Sequence, residues 1–412
     1  MASLDGLKVL DFSTLLPGPY ASLMLADMGA EVLTISSPGK YDLVQHYGAC
    51  VEGTDTSACS AWLGRNKKTM FLNLKTAEAK AIVRRLILDY DIILEQFRPG
   101  VMQKLELGFD ALRALNPRLI YCSLTGYGQT GPMRDAAGHD INYMARSGII
   151  SHAGRASDGP SLMNFQIADI AAGSMNAVIG ILAAVYHREQ TGQGQFVDIS
   201  MMDGCVPFNS LDGADFLVSG RQPDREGELL NGGCMYDYYE TSDGGYMSVG
   251  SLEPKFWENF CRRLGREDLI AGSVRPENAA AVKAQIRELF HTKTRDEWTA
   301  IFDGADACVQ PVLDLNEALL QDEQIRAREM IVEVGMPLQE DVNVRQMATA
   351  VKLSETPCEY RHAGYPPGYH TREIIETLGL DYEELKKTIP ASNAEFFLCG
   401  QSPCSSRDAS NA

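Results

Sequence analysis

Apolar runs of strand length alternate with helix-like stretches through the first 200 residues. The strand-like runs are LKVLDF (7–12), EVLTIS (31–36), DIILEQF (91–97), RLIYCSL (118–124) and QFVDISM (195–201). Helix-like segments stand between them, PYASLMLADMGA after the turn LLPGP and TAEAKAIVRRLILDY (76–90). Strands that alternate with helices are typical of a parallel sheet covered by helices. The pattern therefore predicts an α/β fold.

The second half of the chain has a different pattern. A long buried helix is predicted over 166–188, and the polar, glycine-rich stretch 220–233 reads as a linker. YDYYETSDGGYMSVGS then predicts a hairpin that turns at SDGG, followed by the helical segments PKFWENFCRRLG and ENAAAVKAQIRELFHT. We expect the following domains: the first part of a large α/β domain over 1–219, the linker 220–233, a small α+β domain over 234–325, a return to the large domain over 326–390, and a flexible tail over 391–412.

Charge and composition exclude several classes of function. The 412 residues carry 37 Lys and Arg against 55 Asp and Glu, a net charge of −18, which argues against general nucleic-acid binding. No GxGxxG follows the first strand, so NAD is not expected. The ten cysteines show no CxxC spacing and the seven histidines no HExxH, so reduced thiols and no metal site are expected.

The sequence also bears on the location of the protein in the cell. No apolar run is long enough to span a bilayer, and no basic and apolar leader pattern or SKL-type C-terminal signal is seen. We therefore expect no membrane span, and a location in the cytoplasm or an organelle matrix.

A histidine and an aspartate stand side by side in AAGHDINYM (136–144), after the turn-rich loop TGYGQTGP (125–132). Ligands of open α/β sheets bind outside the carboxyl ends of strands, where this loop is expected. His139 could exchange protons there near neutral pH. A structural histidine is the alternative.

A second acid lies thirty positions further on, in NFQIADIAAGSM (164–175). Asp169 could be a helix N-cap, but its apolar neighbours would raise its pKa through loss of hydration. Facing an imidazole, such a carboxyl could remove a proton from one face of a carbon and return it to the other. The carbon would have to be acidified, as by a thioester, and its enolate held by donors such as a helix N-terminus.

Two short basic segments are candidates for the anionic part of such a substrate. These are RNKK (65–68) and FRPG (97–100), both expected on loops beside strands. A solvated basic face is the alternative interpretation.

The chain resembles the class III coenzyme A transferase (CaiB/BaiF) superfamily in LDGLKVLDFS…PGPYASLMLADMGAEV, RNKKTMFLNLKT, ILEQFRPGVMQKLELG and LTGYGQTGP. Within it, AGHDINY, LMNFQIADIAAGSM, GYMSVGSLEPKFW and FDGADACVQPVL resemble the α-methylacyl-CoA racemases. The likeness covers most of 3–375. It implies an interlocked homodimer whose chains each have a Rossmann-like large domain and a small α+β domain.

The resemblance also implies an activity and its residues. The activity is interconversion of (2R)- and (2S)-2-methylacyl-CoA thioesters, in fatty acid metabolism, with coenzyme A as part of the substrate and no other cofactor. His139 and Asp169 match the two catalytic bases, and Glu253 matches a glutamate that supports the histidine across the dimer. Coenzyme A contacts are implied at Leu72, Asn73, Leu74, Lys75, Arg98, Gly138, Asp140, Ile141, Asn142 and Tyr143.

Two rival functions remain. In a class III coenzyme A transferase, Asp169 would attack the thioester and form a covalent anhydride. Those enzymes generally lack the histidine and carry a glycine-rich loop, whose nearest counterpart is NGGCMY (231–236). A silent acyl-CoA-binding protein is the third class. Two departures from the family are TISSP (34–38), where a basic residue and an acid are usual, and a longer stretch over 41–62.

Overall fold

The computed structural model describes residues 1–37, 42–272, 274 and 278–386. Within these ranges the chain forms two compact units. The first consists of Met1–Tyr143, Gln166–Cys205 and 324–386, and the second of Met144–Phe165 and Val206–Glu323. This division does not test the domain limits predicted from the sequence, which remain predictions. The predicted tail 391–412 and Pro38 of TISSP lie outside the described residues.

A parallel sheet forms the centre of the first unit. Its six strands among the described residues are β1 Lys8–Asp11, β2 Glu31–Ser36, β3 Lys67–Phe71, β4 Ile92–Glu95, β5 Ile120–Thr125 and β6 Phe196–Ser200. They lie in the order β3-β2-β1-β4-β5-β6, and every neighbouring pair is parallel. The carboxyl ends of all six strands therefore meet at one edge. The predicted α/β fold is confirmed.

The helices of the described ranges complete both units. They are α1 Pro17–Asp27, α2 Ala58–Leu63, α3 Ala77–Leu86, α4 Val101–Lys104, α5 Phe109–Arg113, α6 Asp140–Ser147, the π-helix Ile167–Met175, α7 Asn176–Thr191, α8 Met201–Cys205, α9 Ser210–Ser219, α10 Pro254–Leu264, α11 Ala279–Phe290, α12 Arg295–Phe302, α13 Glu323–Ala327, α14 Thr371–Thr377 and α15 Tyr382–Leu385. A shorter π-helical segment, Glu317–Gln321, and 3-10 helices at Val44–His46, Val206–Asn209 and Glu267–Leu269 are also present.

The sheet has a continuous apolar core on the side of α3. Leu33, Ile82, Val83, Ile93 and Tyr121 belong to it and are buried. Thr76 begins α3 by accepting a hydrogen bond from the amide of Ala79, so the helix starts where its apolar face meets the sheet. Strands β4 and β5 are buried along their whole length, as expected of central parallel strands.

The second unit contains an antiparallel sheet of its own. Strands β7 Asp237–Glu240 and β8 Tyr246–Val249 form the predicted hairpin, which is confirmed, and β9 Val309–Pro311 pairs with β8. Phe260, Phe290 and Trp298 pack in an aromatic core beside this sheet. The first unit has a further hairpin, β10 Ile331–Gly335 with β11 Asn343–Met347.

The predicted buried helix appears as the π-helix followed by α7. Over Ile167–Thr191 it is long and apolar enough to cross a bilayer by length and composition alone, with a mean hydropathy of 1.7. The helix packs against α1, β5 and β6, and Ala177, Ile181 and Ala184 are fully buried. Packing in the core of the first unit accounts for part of this apolar character, since 44% of the most apolar window is buried.

Seven described cysteines are free, but Cys50 is disulfide-bonded. The prediction of uniformly reduced thiols is therefore wrong at that position, which sequence spacing could not reveal. Within the described ranges no group of three or more His, Cys, Asp and Glu side chains could hold a metal ion.

Candidate active site

The basic segment RNKK lies inside the first unit, contrary to both interpretations of it. Arg65 is fully buried and forms an ion pair with Asp27. Lys67 donates hydrogen bonds to Pro19 O and to Ser22 Oγ, each at a distance of 2.7 Å. Burial lowers the pKa of Lys67 to about 8. Lys68 alone of the three cations is exposed, and it pairs with a surface glutamate. The loop placement was wrong because KKTMF forms β3. Arg65 and Lys67 bind partners inside the first unit.

Tyr143 of helix α6 anchors the start of this helix to the loop after β5. The Tyr143 hydroxyl donates to Gly138 O over 2.5 Å, and its ring meets Tyr127 edge-on at 5.2 Å. A Cβ at Gly126 would lie 2.5 Å from Tyr143 Cε1, and one at Gly138 would lie 2.6 Å from the same atom. Glycine is needed at both positions because the ring packs directly on the backbone.

His139 stands at the start of α6. Its carbonyl accepts the first hydrogen bonds of the helix, from the amides of Asn142 and Tyr143, and its own amide donates to Asn142 Oδ1 over 3.0 Å. This reciprocal arrangement ends the loop and begins the helix at a defined residue. The imidazole is exposed. His139 is therefore held by its backbone, with its ring open to a substrate.

Asp169 lies in the first turn of the π-helix and is half-buried. The residue that caps this helix is Gln166, so the interpretation of Asp169 as an N-cap is wrong. Burial is the main cause that raises the pKa of Asp169 to about 7, and the charge of Asp140 adds to it. Asp169 can thus hold or release a proton near neutral pH, as its apolar surroundings predict.

One hydrogen bond joins the residue that follows His139 to the backbone of Asp169. The amide of Asp169 donates to Asp140 Oδ1 over 2.9 Å. His139 precedes Asp140, so a single residue and a single hydrogen bond separate the histidine from Asp169. Ser174 Oγ donates to Asp169 O and to Pro17 O, which ties the π-helix to the start of α1. The structure therefore places His139 and Asp169 in one region of the first unit.

The residues expected to contact coenzyme A fall into three groups, after β3, after β4 and around the start of α6. Residues 72–75 follow β3; Leu72 is fully buried, so its side chain belongs to the core, whereas Lys75 is exposed. Arg98 follows β4 and is exposed. Burial is the main cause that raises the pKa of Tyr143, and the charge of Arg98 opposes this rise. Gly138, Asp140, Ile141, Asn142 and Tyr143 surround the start of α6, where Ile141 and Asn142 are exposed and Tyr143 is buried.

The remaining candidate, Glu253, lies in the second unit. It is exposed and precedes Pro254, the first residue of α10, and its carbonyl accepts from the amide of Trp257 over 2.9 Å. Its charge raises the pKa of Cys308 in the same unit. Glu253 is thus fixed at a helix start with its carboxylate in solvent.

Sequence reasoning missed a buried acid at the same edge. Glu95 ends β4, and its carboxyl accepts from Phe97 N over 2.8 Å and from Ser123 Oγ, which in turn accepts from Gln129 Nε2. Burial raises the pKa of Glu95 to about 7. The available signal was a glutamate at the end of an otherwise apolar run, DIILEQF. This network connects the loop of Arg98 with the loop that leads to His139.

Part of the longer stretch over 41–62 lines a cavity in the first unit. The cavity lies at the ends of β1 and β2 and is partly open to solvent, which is included in its volume of about 590 Å³. It is lined by residues that include Asp11, Ser36, Asp42, Cys59 and Lys67. Asp42 accepts hydrogen bonds from Leu15 N and Val44 N, so it shapes the loop before α1. His139 and Asp169 do not line this cavity.

Known proteins resemble this chain along most of its length. The α-methylacyl-CoA racemase of Homo sapiens is 36% identical over 386 residues, 93% of this chain and 95% of the relative. The succinate–glutarate CoA-transferase of Agrobacterium fabrum is 31% identical, over 91% of this chain and 95% of that protein. The crystal structure of a CAIB/BAIF family protein from Brucella suis superposes with a TM-score of 0.80 at 28% identity, over 92% of this chain and 99% of that chain.

The sequence pattern that describes CoA-transferase family III matches residues 4–371 of this chain. This match, the racemase and transferase relatives and the shared fold agree with the resemblance seen in the sequence motifs. The chain is an enzyme that belongs to CoA-transferase family III.

Proposed function

We propose that the enzyme racemises C2 of 2-methylacyl-CoA thioesters by two-base 1,1-proton transfer, with His139 and Asp169 as the bases. The observation that carries this proposal is the 2.9 Å hydrogen bond from the amide of Asp169 to Asp140, the neighbour of His139. It supports a site in which an imidazole and a protonatable carboxyl act on the same substrate carbon at the carboxyl edge of the sheet, where ligands bind. Two such groups can act as acid and base in turn.

The reaction needs one group in each protonation state. Neutral His139 removes the C2 proton of one epimer and leaves a planar enolate, while the protonated carboxyl of Asp169 donates to the opposite face. The roles reverse for the other epimer. A carboxyl whose pKa lies at about 7 is suited to both roles at neutral pH.

The enolate oxygen requires donors that are in place before the reaction. The first amides of a helix have no partner within it, and the helix dipole makes its start positive. Helix α6 starts immediately after His139. We assign the stabilisation of the thioester oxygen to the amides of Asp140 and Ile141, the first two residues of this helix, because the amides of Asn142 and Tyr143 donate to His139 O.

Coenzyme A would extend along the carboxyl edge of the sheet. Strands lie about 4.8 Å apart, so β3 and β5, four positions apart in the sheet, are separated by about 19 Å at this edge. Lys75 and Arg98 are exposed cations at the ends of β3 and β4 and suit the phosphate groups. The thioester end would then reach His139 and Asp169.

In the alternative function, that of a coenzyme A transferase, the same aspartate would act as a nucleophile. Two observations favour the racemase: the chain has the histidine, His139, in its motif, and a racemase relative is 36% identical, against 31% for the transferase relative of Agrobacterium fabrum. Trapping of an Asp169 anhydride by hydroxylamine or borohydride after addition of acyl-CoA would favour the transferase instead.

The proposal includes a homodimer in which Glu253 of one copy supports His139 of the other. Apolar side chains are exposed on each unit: Ile179 and Tyr186 on α7 are 62% and 71% exposed, and Leu217 and Val218 on α9 are 83% and 91% exposed. Exposed apolar surface of this kind favours association. Light scattering should give twice the chain mass, and Leu217→Glu should lower it; a monomeric wild-type protein would contradict the dimer.

Deuterium incorporation at C2 in D2O tests the reaction itself. The wild-type enzyme should exchange and racemise (2R)- and (2S)-2-methylacyl-CoA. His139→Ala and Asp169→Ala should lower racemisation by at least about 100-fold, since each removes one proton-transfer group. His291→Ala and Asp135→Asn, which change exposed residues, serve as matched controls. No exchange by the wild-type enzyme, or unchanged exchange by both variants, would exclude this mechanism.

A further inference from the structure

We infer that the carboxyl group of Asp140 is a positioning residue for Asp169: it holds the first turn of the π-helix and places a negative charge beside the Asp169 carboxyl, so that Asp169 can act as a proton donor. The inference deepens the proposed function and rests on it for its catalytic consequence. The resemblance implies only contact with coenzyme A for Asp140, whereas its side chain is directed at the backbone of the next catalytic element.

The contacts of Asp140 define its position. Its carboxyl accepts hydrogen bonds from the amides of Asp169, over 2.9 Å, and of Ala168. Both amides belong to the first turn of the π-helix, which begins at Ile167 and lacks a side-chain cap from Gln166. Since the first amides of a helix require acceptors, Asp140 supplies from α6 what the capping residue does not.

The charge of Asp140 has a second effect. A carboxylate close to a second carboxyl disfavours ionisation of the latter. Burial is the larger cause of the raised pKa of Asp169, and the charge of Asp140 is the other. Tyr143, on the same helix as Asp140, has its own pKa raised by burial and by the charge of Asp169.

Other titratable groups lie on the elements that pack against the π-helix. They are Tyr20 and Asp27 on α1, Tyr121 and Cys122 on β5, Tyr186, His187, Arg188 and Glu189 on α7, Asp198 on β6 and Asp203 and Cys205 on α8. Among the described groups, Asp140 supplies the charge that shifts Asp169. The electrostatic control of Asp169 thus comes from the residue adjacent to His139, and the same helix start sets the position of one base and the proton affinity of the other.

Asp140→Asn separates the two effects, because asparagine keeps an acceptor oxygen and loses the charge. Asp135→Asn is the matched control: it removes the same charge from an exposed side chain in the same segment. In the pH profile of kcat/KM for the epimer whose proton His139 removes, the basic limb reports deprotonation of Asp169, the proton donor. Loss of the neighbouring negative charge lowers the pKa of Asp169, so the limb should move to lower pH by about one unit in Asp140→Asn. It should not move in Asp135→Asn.

A second measurement does not depend on activity. A carbodiimide reacts with protonated carboxyl groups, and mass spectrometry of the peptide that contains Asp169 gives the pH at which its labelling falls by half. That pH should fall by about one unit in Asp140→Asn. A shift in labelling without racemisation by the wild-type enzyme would support the role of Asp140 and reject the proposed function. Unshifted labelling with Asp140→Asn folded, as judged by circular dichroism, would overturn the inference whatever the activity.

Discussion

Arg65 and Asp27 form a buried ion pair with two contacts, Nε to Oδ1 at 3.0 Å and Nη2 to Oδ2 at 2.6 Å. The same carboxylate accepts from Asn66 and Thr349, and Arg65 also donates to Met347 O. The last residue of α1 is thereby joined to β11, more than 300 positions later in the chain. The guanidinium of Arg65, which the sequence suggested as a contact for an anionic ligand, instead joins two distant segments of the first unit.

Removal of Arg65 should destabilise the protein strongly. Arg65→Met leaves the Asp27 carboxylate buried without its cation, which costs about 3–5 kcal/mol of unfolding free energy. Urea denaturation measures this loss. Lys68→Met is the control from the same segment; its exposed pair with Glu373 is worth less than about 1 kcal/mol. Equal stability of the two variants would contradict the structural role of Arg65.

Glu95 should make stability depend on pH. Its pKa rises from 4.5 to about 7 on burial, so the folded state binds more protons between these values and stability is lost as the pH rises through 7. Glu95→Gln keeps an acceptor for Phe97 N and removes the titration. Between pH 5 and pH 8 the wild-type protein should lose about 1–3 kcal/mol that the variant retains.

The control for this prediction is Glu106→Gln, at an exposed glutamate paired with Arg84. Its pH dependence should follow that of the wild-type protein over the same range. If Glu95→Gln also follows the wild type, the Glu95 carboxyl is not protonated in the folded state at neutral pH.

The two bases should be distinguishable by the epimer from which each removes a proton. In His139→Gln the epimer whose proton faces Asp169 should still exchange deuterium without racemisation, and in Asp169→Asn the other epimer should do so. Chiral separation of the products with mass detection measures both. Loss of exchange from the same epimer in both variants would show that the groups do not address opposite faces of the carbon.

Gly126→Ala should impair catalysis through the start of α6. The added Cβ would lie 2.5 Å from the ring of Tyr143, which packs against the loop before His139. The ring must move, so we expect a fall in kcat of at least about 10-fold, since small displacements of catalytic groups are costly. Gly335→Ala, whose new Cβ would make an ordinary contact at 3.5 Å, should leave kcat unchanged. An unimpaired Gly126→Ala enzyme would show that this anchor is dispensable.

The sequence predicts the sheet well wherever local pattern decides the structure. LKVLDF and EVLTIS match β1 and β2 within two residues, because apolar runs of that length suit buried parallel strands. β3 escaped prediction because KKTMF begins with two lysines. Lys67 is buried through contacts with Pro19 and Ser22, which are distant in sequence.

The candidate site, too, can be predicted from the sequence only where local pattern decides the structure. His139 and Asp169 follow from their motifs, and the raised pKa of Asp169 follows from its apolar neighbours. The hydrogen bond of Asp140 to Asp169 does not, because it joins elements that local pattern cannot bring together. The N-cap interpretation of Asp169 failed for a similar reason: the acceptor for that helix comes from α6.

Between Asp140 and Asp169 the chain leaves the first unit for residues Met144–Phe165 and then returns. The bond between the two aspartates closes this excursion into a loop. The entropic cost of closing a loop grows slowly, by about 0.6 kcal/mol for each doubling of its length. Insertions or deletions in the excursion would thus be cheap for the closure itself, and relatives could diverge in length there while the aspartate contact persists.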